Sequence, residues 1–96
     1  LMQKILLSPL AERDLIDIWQ YSLAQWGEVQ ADRYLDELEE GILRLSRNPE
    51  LGASREHIRH GYRVLFIRSH AVYYKVTSAI HVVRILHVRM DADEHL

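Results

Sequence analysis

Apolar and polar positions follow two different periods along this 96-residue chain, and the period changes once, after the polar loop ASREH at residues 53–57. Before that loop the spacing is helical. Residues 3–7, QKILL, read as a short strand, and Ser8-Pro9 reads as a helix start, a hydroxyl cap followed by proline at the first helical position. The full capping box is missing, because the third helical position is Ala11 and Glu12 comes one later. Ala11, Leu15, Ile18, Trp19, Ser22 and Trp26 then recur at helical spacing, with Glu12, Asp14 and Asp17 in the half where the helix dipole favours acids. This predicts a helix over 9–25, stopped or hinged at Gly27. A second stripe, Ala31, Tyr34, Leu35, Leu38, Ile42 and Leu45, predicts a helix over 28–47 that ends at Asn48-Pro49. With almost nothing between them, the two helices should pair as an antiparallel hairpin. Leu15, Ile18, Trp19, Leu35, Leu38 and Ile42 are expected to be buried against a sheet.

After the loop, YRVLFIRS, AVYYKV and IHVVRILHV are rich in Val, Ile, Tyr and Phe and are separated by short breaks near Ser69-His70 and Thr77-Ser78. That is the pattern of a β-meander. The second and third of the chain's strands are apolar on both pleat faces, so the sheet needs helices on one side and a tail or a partner on the other. The predicted fold is α+β, in the order β-α-α-β-β-β, with a helical hairpin on one face of a small antiparallel sheet. The first strand must find a place at the edge or in the middle of that sheet. One domain spanning 1–96 is the expectation at this length.

Composition adds boundaries. The chain is 48% hydrophobic and 27% charged, ordinary for a globular domain, with a net charge of -2. The absence of cysteine excludes a disulfide framework, a thiolate metal site and a cysteine nucleophile. No apolar run approaches the roughly 20 residues of a membrane helix, and no signal peptide is visible. Leu1 ahead of Met2 reads as a cloning remnant or an unusual start.

Candidate chemistry is sparse. The six histidines, His57, His60, His70, His81, His87 and His95, include no pair at the helical i, i+4 spacing of a zinc site. His81 and His87 share one strand face but stand roughly 20 Å apart on an extended chain. No metal is expected. There is no glycine-rich phosphate loop and no nucleophile elbow. Trp19 and Trp26 read first as packing residues. Arg59, Arg63, Arg68, Arg84 and Arg89 all fall in the β half while most acids lie in the helices. Arg84, mid-strand between Val83 and Ile85, needs a partner, because an unpaired buried charge is expensive. A structural ion pair with Asp91 or with an acid of the hairpin is one reading. A recognition or catalytic arginine on a concave sheet is the other.

The runs SPLAERDLIDIWQYSLAQWG, QADRYLDEL, NPELG, HGYRVLF, VYYKV and RILHVRMD, with a closing HL, occur in order from Leu7 to Leu96. Together they resemble the ParE toxins of the ParE/RelE superfamily. The most specific pieces are Leu15 to Trp19, Trp26-Gly27, Arg59-x-Gly61-Tyr62-Arg63, and Arg84-Ile85-Leu86-His87-x-Arg89-Met90-Asp91. The resemblance implies a cytoplasmic bacterial toxin that poisons DNA gyrase and is silenced by a ParD-like antitoxin, with no cofactor, no membrane and no direct DNA contact of its own. Recognition of target or antitoxin is then expected from Trp19, Trp26, Arg59, Tyr62, Arg63, Arg84, His87, Arg89, Met90 and Asp91. RelE-like relatives instead cleave messenger RNA at the ribosomal A site without metal. For that alternative Arg63, Arg84 and His87 would be the catalytic set. The C-terminal tyrosine of such nucleases is absent here, the last tyrosine being Tyr74, and Lys4 and Lys75 are the only lysines. The departures favour the gyrase-directed reading.

Overall fold

Strand β1 (Ile5–Leu7) runs into helix α1 (Pro9–Trp26), α2 (Glu28–Arg44), the two-residue β2 (Ala53–Ser54), β3 (Tyr62–Ile67), β4 (His70–Val76), β5 (Ile80–His87) and the short α3 (Ala92–His95) in this computed structural model, which describes residues 2–96. The Ser8 side chain caps α1 by accepting from the Ala11 N–H, and Pro9 takes the first turn, where its missing N–H costs nothing. Gly27 serves both helices at once. Its N–H bonds to the Leu23 carbonyl, and its own carbonyl accepts from Ala31. Its φ of 89° is the left-handed geometry that glycine adopts without strain. The second helix stops at Arg44, three residues earlier than the spacing predicts. Residues 45–47 form a turn in which the Leu45 and Ser46 N–H groups bond three residues back, tightening the chain ahead of Pro49.

The strand order is β1-β5-β4-β3-β2. β1 therefore lies at an edge and pairs parallel with β5, so the sheet is mixed rather than wholly antiparallel. A parallel neighbour needs a long crossover: the helices carry the chain from β1 across the sheet to β2 at the far edge, and β3 and β4 bring it back until β5 lies beside β1. The remaining pairs are antiparallel. Between β4 and β5 the register shifts: Tyr74 pairs with Val82 but Tyr73 pairs with Arg84, which leaves Val83 as a bulge. The bulge reverses the alternation, so Ile80, Val82 and Ile85 all face the helices. His81 and His87 consequently leave opposite faces, which corrects the expectation that they share one.

Most of the core lies between the hairpin and the sheet, where Ala11, Leu38, Leu45, Val72, Tyr74 and Ile80 are fully buried. Leu15 and Ile18 pack against it while partly exposed. Trp19 and Leu35 are also only half-buried. One residue on an α-helix is a rotation of about 100°, so Trp19 turns off the face that Ile18 shares with the sheet. Gly41 lets α2 approach β3: a Cβ there would stand 2.3 Å from Ile67 Cδ1. The sheet's second face carries a smaller cluster, Val64, Ala71, Tyr73 and Leu86, roofed by Ile58, Ala92 and Leu96. The tail thus does part of the covering that the apolar strands demand.

Candidate functional site

Helices and sheet part company at one end. Between them opens a cleft of about 1000 Å³, lined by Ile18, Tyr21 and Trp26 of α1, Tyr34 of α2, and His70, Arg84 and His87 of the sheet, with Met90 and His95 at its rim. Topology creates it. β1 pairs only with Ile80–Val82, so the second half of β5, paired with β4 on one side, has no strand on the other. Asp14 of α1 fills the gap. Its carboxylate accepts from the Ile85 N–H at 2.9 Å and from the Arg84 guanidinium at 2.8 and 2.9 Å. A bidentate carboxylate of this kind satisfies the fork and the strand edge together. Arg84 also donates to the His95 carbonyl, which ties the tail to the same node. The hydrogen bonds to Asp14 raise the arginine's affinity for its proton. The mid-strand arginine is thus paired with an acid of the hairpin, and not with Asp91.

Two further contacts tether α2 to the β3–β4 turn. Arg68, in the left-handed region at φ 50°, pairs with Glu37. One helical turn away, the Tyr34 hydroxyl meets His70 Nδ1 at 2.6 Å. Burial, and secondarily the neighbouring His87, push the His70 imidazole down to about 4, so it is neutral near pH 7. Burial likewise pushes the Tyr34 hydroxyl up. The His87 ring stands edge-on to His70, with centroids 5.4 Å apart, and its Nδ1 accepts from the Arg89 N–H. Tyr21 and Trp26 form an edge-to-face pair at the hairpin tip, 62% and 63% exposed.

Of the residues expected to recognise target or antitoxin, the cleft gathers Trp26, Arg84, His87 and Met90. The others lie elsewhere. Trp19 donates from Nε1 to Asp32 across the hairpin. Arg63 sits on β3, two strands from Arg84, and its guanidinium donates to the carbonyls of Glu50 and Gly52. Together with Tyr74, whose hydroxyl donates to Pro49 O and accepts from Gly52 N–H, it fixes the loop between α2 and β2. Arg59 holds the Leu96 carbonyl, Lys75 lies over the Tyr62 ring, Arg89 is exposed, and Asp91 caps α3. Sequence reasoning missed Asp14, Tyr21, Tyr34 and His70. The available signal for Asp14 was its position between Ala11 and Ile18, an acid on the flank of an apolar stripe.

Among the described residues no group of three or more His, Cys, Asp or Glu side chains could hold a metal. Aromatic and aliphatic side chains (Ile18, Tyr21, Trp26, Tyr34, Met90) share the cleft's walls with polar ones, of which Asp14, Arg84, Glu37, Arg68 and His70 are bonded to one another or to Tyr34, a mixture suited to a binding groove.

The family model described as the ParE toxin of the type II toxin–antitoxin system parDE matches residues 5–92. The chain belongs to the ParE toxin family. Toxin ParE1 of Mycobacterium tuberculosis is 45% identical over 95 residues, covering 97% of either chain. Toxin ParE1 of Caulobacter vibrioides is 40% identical over 95 residues, covering 99% of either chain, and Toxin ParE of Escherichia coli is 33% identical over 92 residues, covering 94% and 89%. A solved chain of a chromosomal ParDE system from P. aeruginosa superposes with a TM-score of 0.81 at 22% identity over 92% of this chain and 98% of its own, a likeness of fold. The ParE architecture of two helices packed on a five-stranded sheet is thus shared. Among the described residues no helix is long and apolar enough to cross a membrane.

Proposed function

We propose that this ParE-family toxin acts by binding, that its target is DNA gyrase, and that a cognate ParD-like antitoxin neutralises it by folding a C-terminal segment into the cleft. The observation that carries the reading is the state of the three residues a nuclease would need. Arg63 is spent on the carbonyls of Glu50 and Gly52, Arg84 on Asp14, and His87 stands edge-on to a neutral His70. Phosphodiester cleavage requires an acid, a base and cations converging on one phosphate, and these groups are turned to different structural tasks. The cleft supports an antitoxin site in another way. It is walled by two helices and by the half of β5 whose outer edge has no strand, and the exposed Tyr21 and Trp26 lie along it. A disordered segment that folds on binding would find anchors for an amphipathic helix there.

The test is purified chain with gyrase and relaxed plasmid, beside the same chain with translating ribosomes. The expected result is loss of supercoiling, relieved by the product of the neighbouring gene, with intact messenger. Cuts at A-site codons with gyrase untouched would replace the proposal by the nuclease reading.

A further inference from the structure

On the reading that the cleft holds the antitoxin's C-terminal segment, we propose that Arg33 selects that segment, by pairing with a carboxylate on the flank of the bound helix that is turned to α2. Six lining residues carry the cleft's fixed charges: Asp14, Asp17, Glu37, Arg33, Arg68 and Arg84. Four of them are consumed in bonds between elements, Asp14 with Arg84 and Glu37 with Arg68. Asp17 is shared with Arg13 one turn away on α1, at 3.5 Å. Arg33 is left over. Among the described residues it belongs to none of the chain's ion pairs. Two acids of its own helix stand at helical spacing, and neither serves it. Asp36, three residues on, makes no pair with it. Glu37, four residues on and the usual partner on a helix surface, is turned to Arg68.

Position gives the free charge a use. Gln30, Arg33, Tyr34 and Glu37 fall on one face of α2 and line the cleft. Tyr21 and Trp26 offer the apolar contacts nearby at the hairpin tip. A guanidinium in such a wall takes a carboxylate through two parallel bonds, and it repels a cation placed there. The opposite wall has the opposite sign, since Asp17 of α1 faces the same cleft. An amphipathic helix laid between α1 and α2 with its apolar stripe inward exchanges its two flanks when its direction is reversed. Only one direction therefore sets a given acid against Arg33. Apolar anchors admit a segment, and the unlike walls choose among segments and orient the one that enters. The occupant that fits is an amphipathic helix with a Glu or Asp bordering its apolar stripe on one side.

Binding of the purified full chain to the product of the neighbouring gene, measured by surface-immobilised kinetics, tests the selection. Arg33→Glu is expected to weaken binding at least about tenfold, and Arg33→Gln about three- to tenfold. Glu40→Gln, on α2 but away from the cleft, should stay within about twofold of the wild type. Each Asp and Glu of the partner's C-terminal segment is then replaced by Lys in turn. One of these changes should weaken binding to the wild-type chain and restore it to Arg33→Glu, a reciprocity that a merely structural role for Arg33 would not produce. Arg33→Glu that binds as the wild type does overturns the proposal, and so does a scan in which no reversal restores binding. Trp26→Ala separates the two levels of failure. If it weakens binding while Arg33→Glu does not, the cleft stays the antitoxin site and Arg33 loses its role. If neither changes affinity, the partner lies elsewhere and both readings fall.

Discussion

The same two helices meet the same sheet at both ends of the molecule, with opposite results. At the end formed by the start of α1 and the last turns of α2, Ala11, Leu38 and Leu45 are 0% exposed against Tyr74 and Ile80. At the other end Tyr21, Trp26 and Val29 are 62%, 63% and 73% exposed, and the layers are bridged by Asp14–Arg84, Glu37–Arg68 and Tyr34–His70. The closed end is held by apolar burial, which is insensitive to pH and tolerant of salt. The open end is held by polar tethers, which leave apolar side chains free for a partner. A chain of this size has little stability to spare, so it can keep an open apolar cleft only where a few specific bonds stop the helices collapsing onto it.

Substitutions should separate the two ends in a graded order. Leu38→Ala at the closed end should lower unfolding stability by about 2–5 kcal/mol, read from denaturant melts, since the cavity cannot collapse between sheet and helix. Arg84→Met should cost about 3 kcal/mol, because Asp14 and the Ile85 edge are left with an uncompensated carboxylate. Asp14→Leu added to Arg84→Met should recover part of that loss. If the double variant is as unstable as the sum of the singles, the tether does not work as a unit.

The third test is pH. His70 has an ordinary value of 6.5 and is held at about 4 in the fold. Between those values the unfolded chain binds a proton that the native chain refuses. Stability is therefore complete above about pH 6.5 and falls as the pH drops toward 4, by on the order of 1 kcal/mol once solvent screening of this half-exposed ring is allowed for. His70→Gln should flatten that slope, and a slope unchanged by the substitution would remove His70 from the account. The smallest effect on stability belongs to Trp26→Ala, within about 0.5 kcal/mol. The same change should weaken binding of the neighbouring gene's product on the order of tenfold or more. Unchanged affinity would place the partner away from the open end.

The closed end was legible in the sequence and the open end was not. Ala11, Leu38, Ile42 and Leu45 lie on two strict helical stripes, and a stripe announces its own burial. The need for a cover on the second sheet face was also legible from strands apolar on both sides, and Ala92 and Leu96 supply part of it. The cleft depends on events that leave no periodic trace. The bulge at Val83 turns Arg84 toward the sheet edge, and the three-residue β1 leaves Ile85 for Asp14 to cap. Arg63 and Arg84 look alike as strand arginines, yet one grips loop carbonyls and the other a helix carboxylate, a distinction set by what each strand happens to face. His70 carried no signal, because its partner Tyr34 is 36 residues away on another element.

Whether the open end binds or cleaves is tested most directly at His87. It is the one candidate acid or base of the nuclease reading, and its ring lines the cleft without bonding the core. The measurement is a titration of gyrase supercoiling with the wild-type chain and with His87→Ala. Inhibition by both is expected, with midpoints within about threefold, as befits the loss of one edge contact at an interface. A wild-type chain that leaves supercoiling intact while cutting ribosome-bound messenger, with His87→Ala inert, would contradict it.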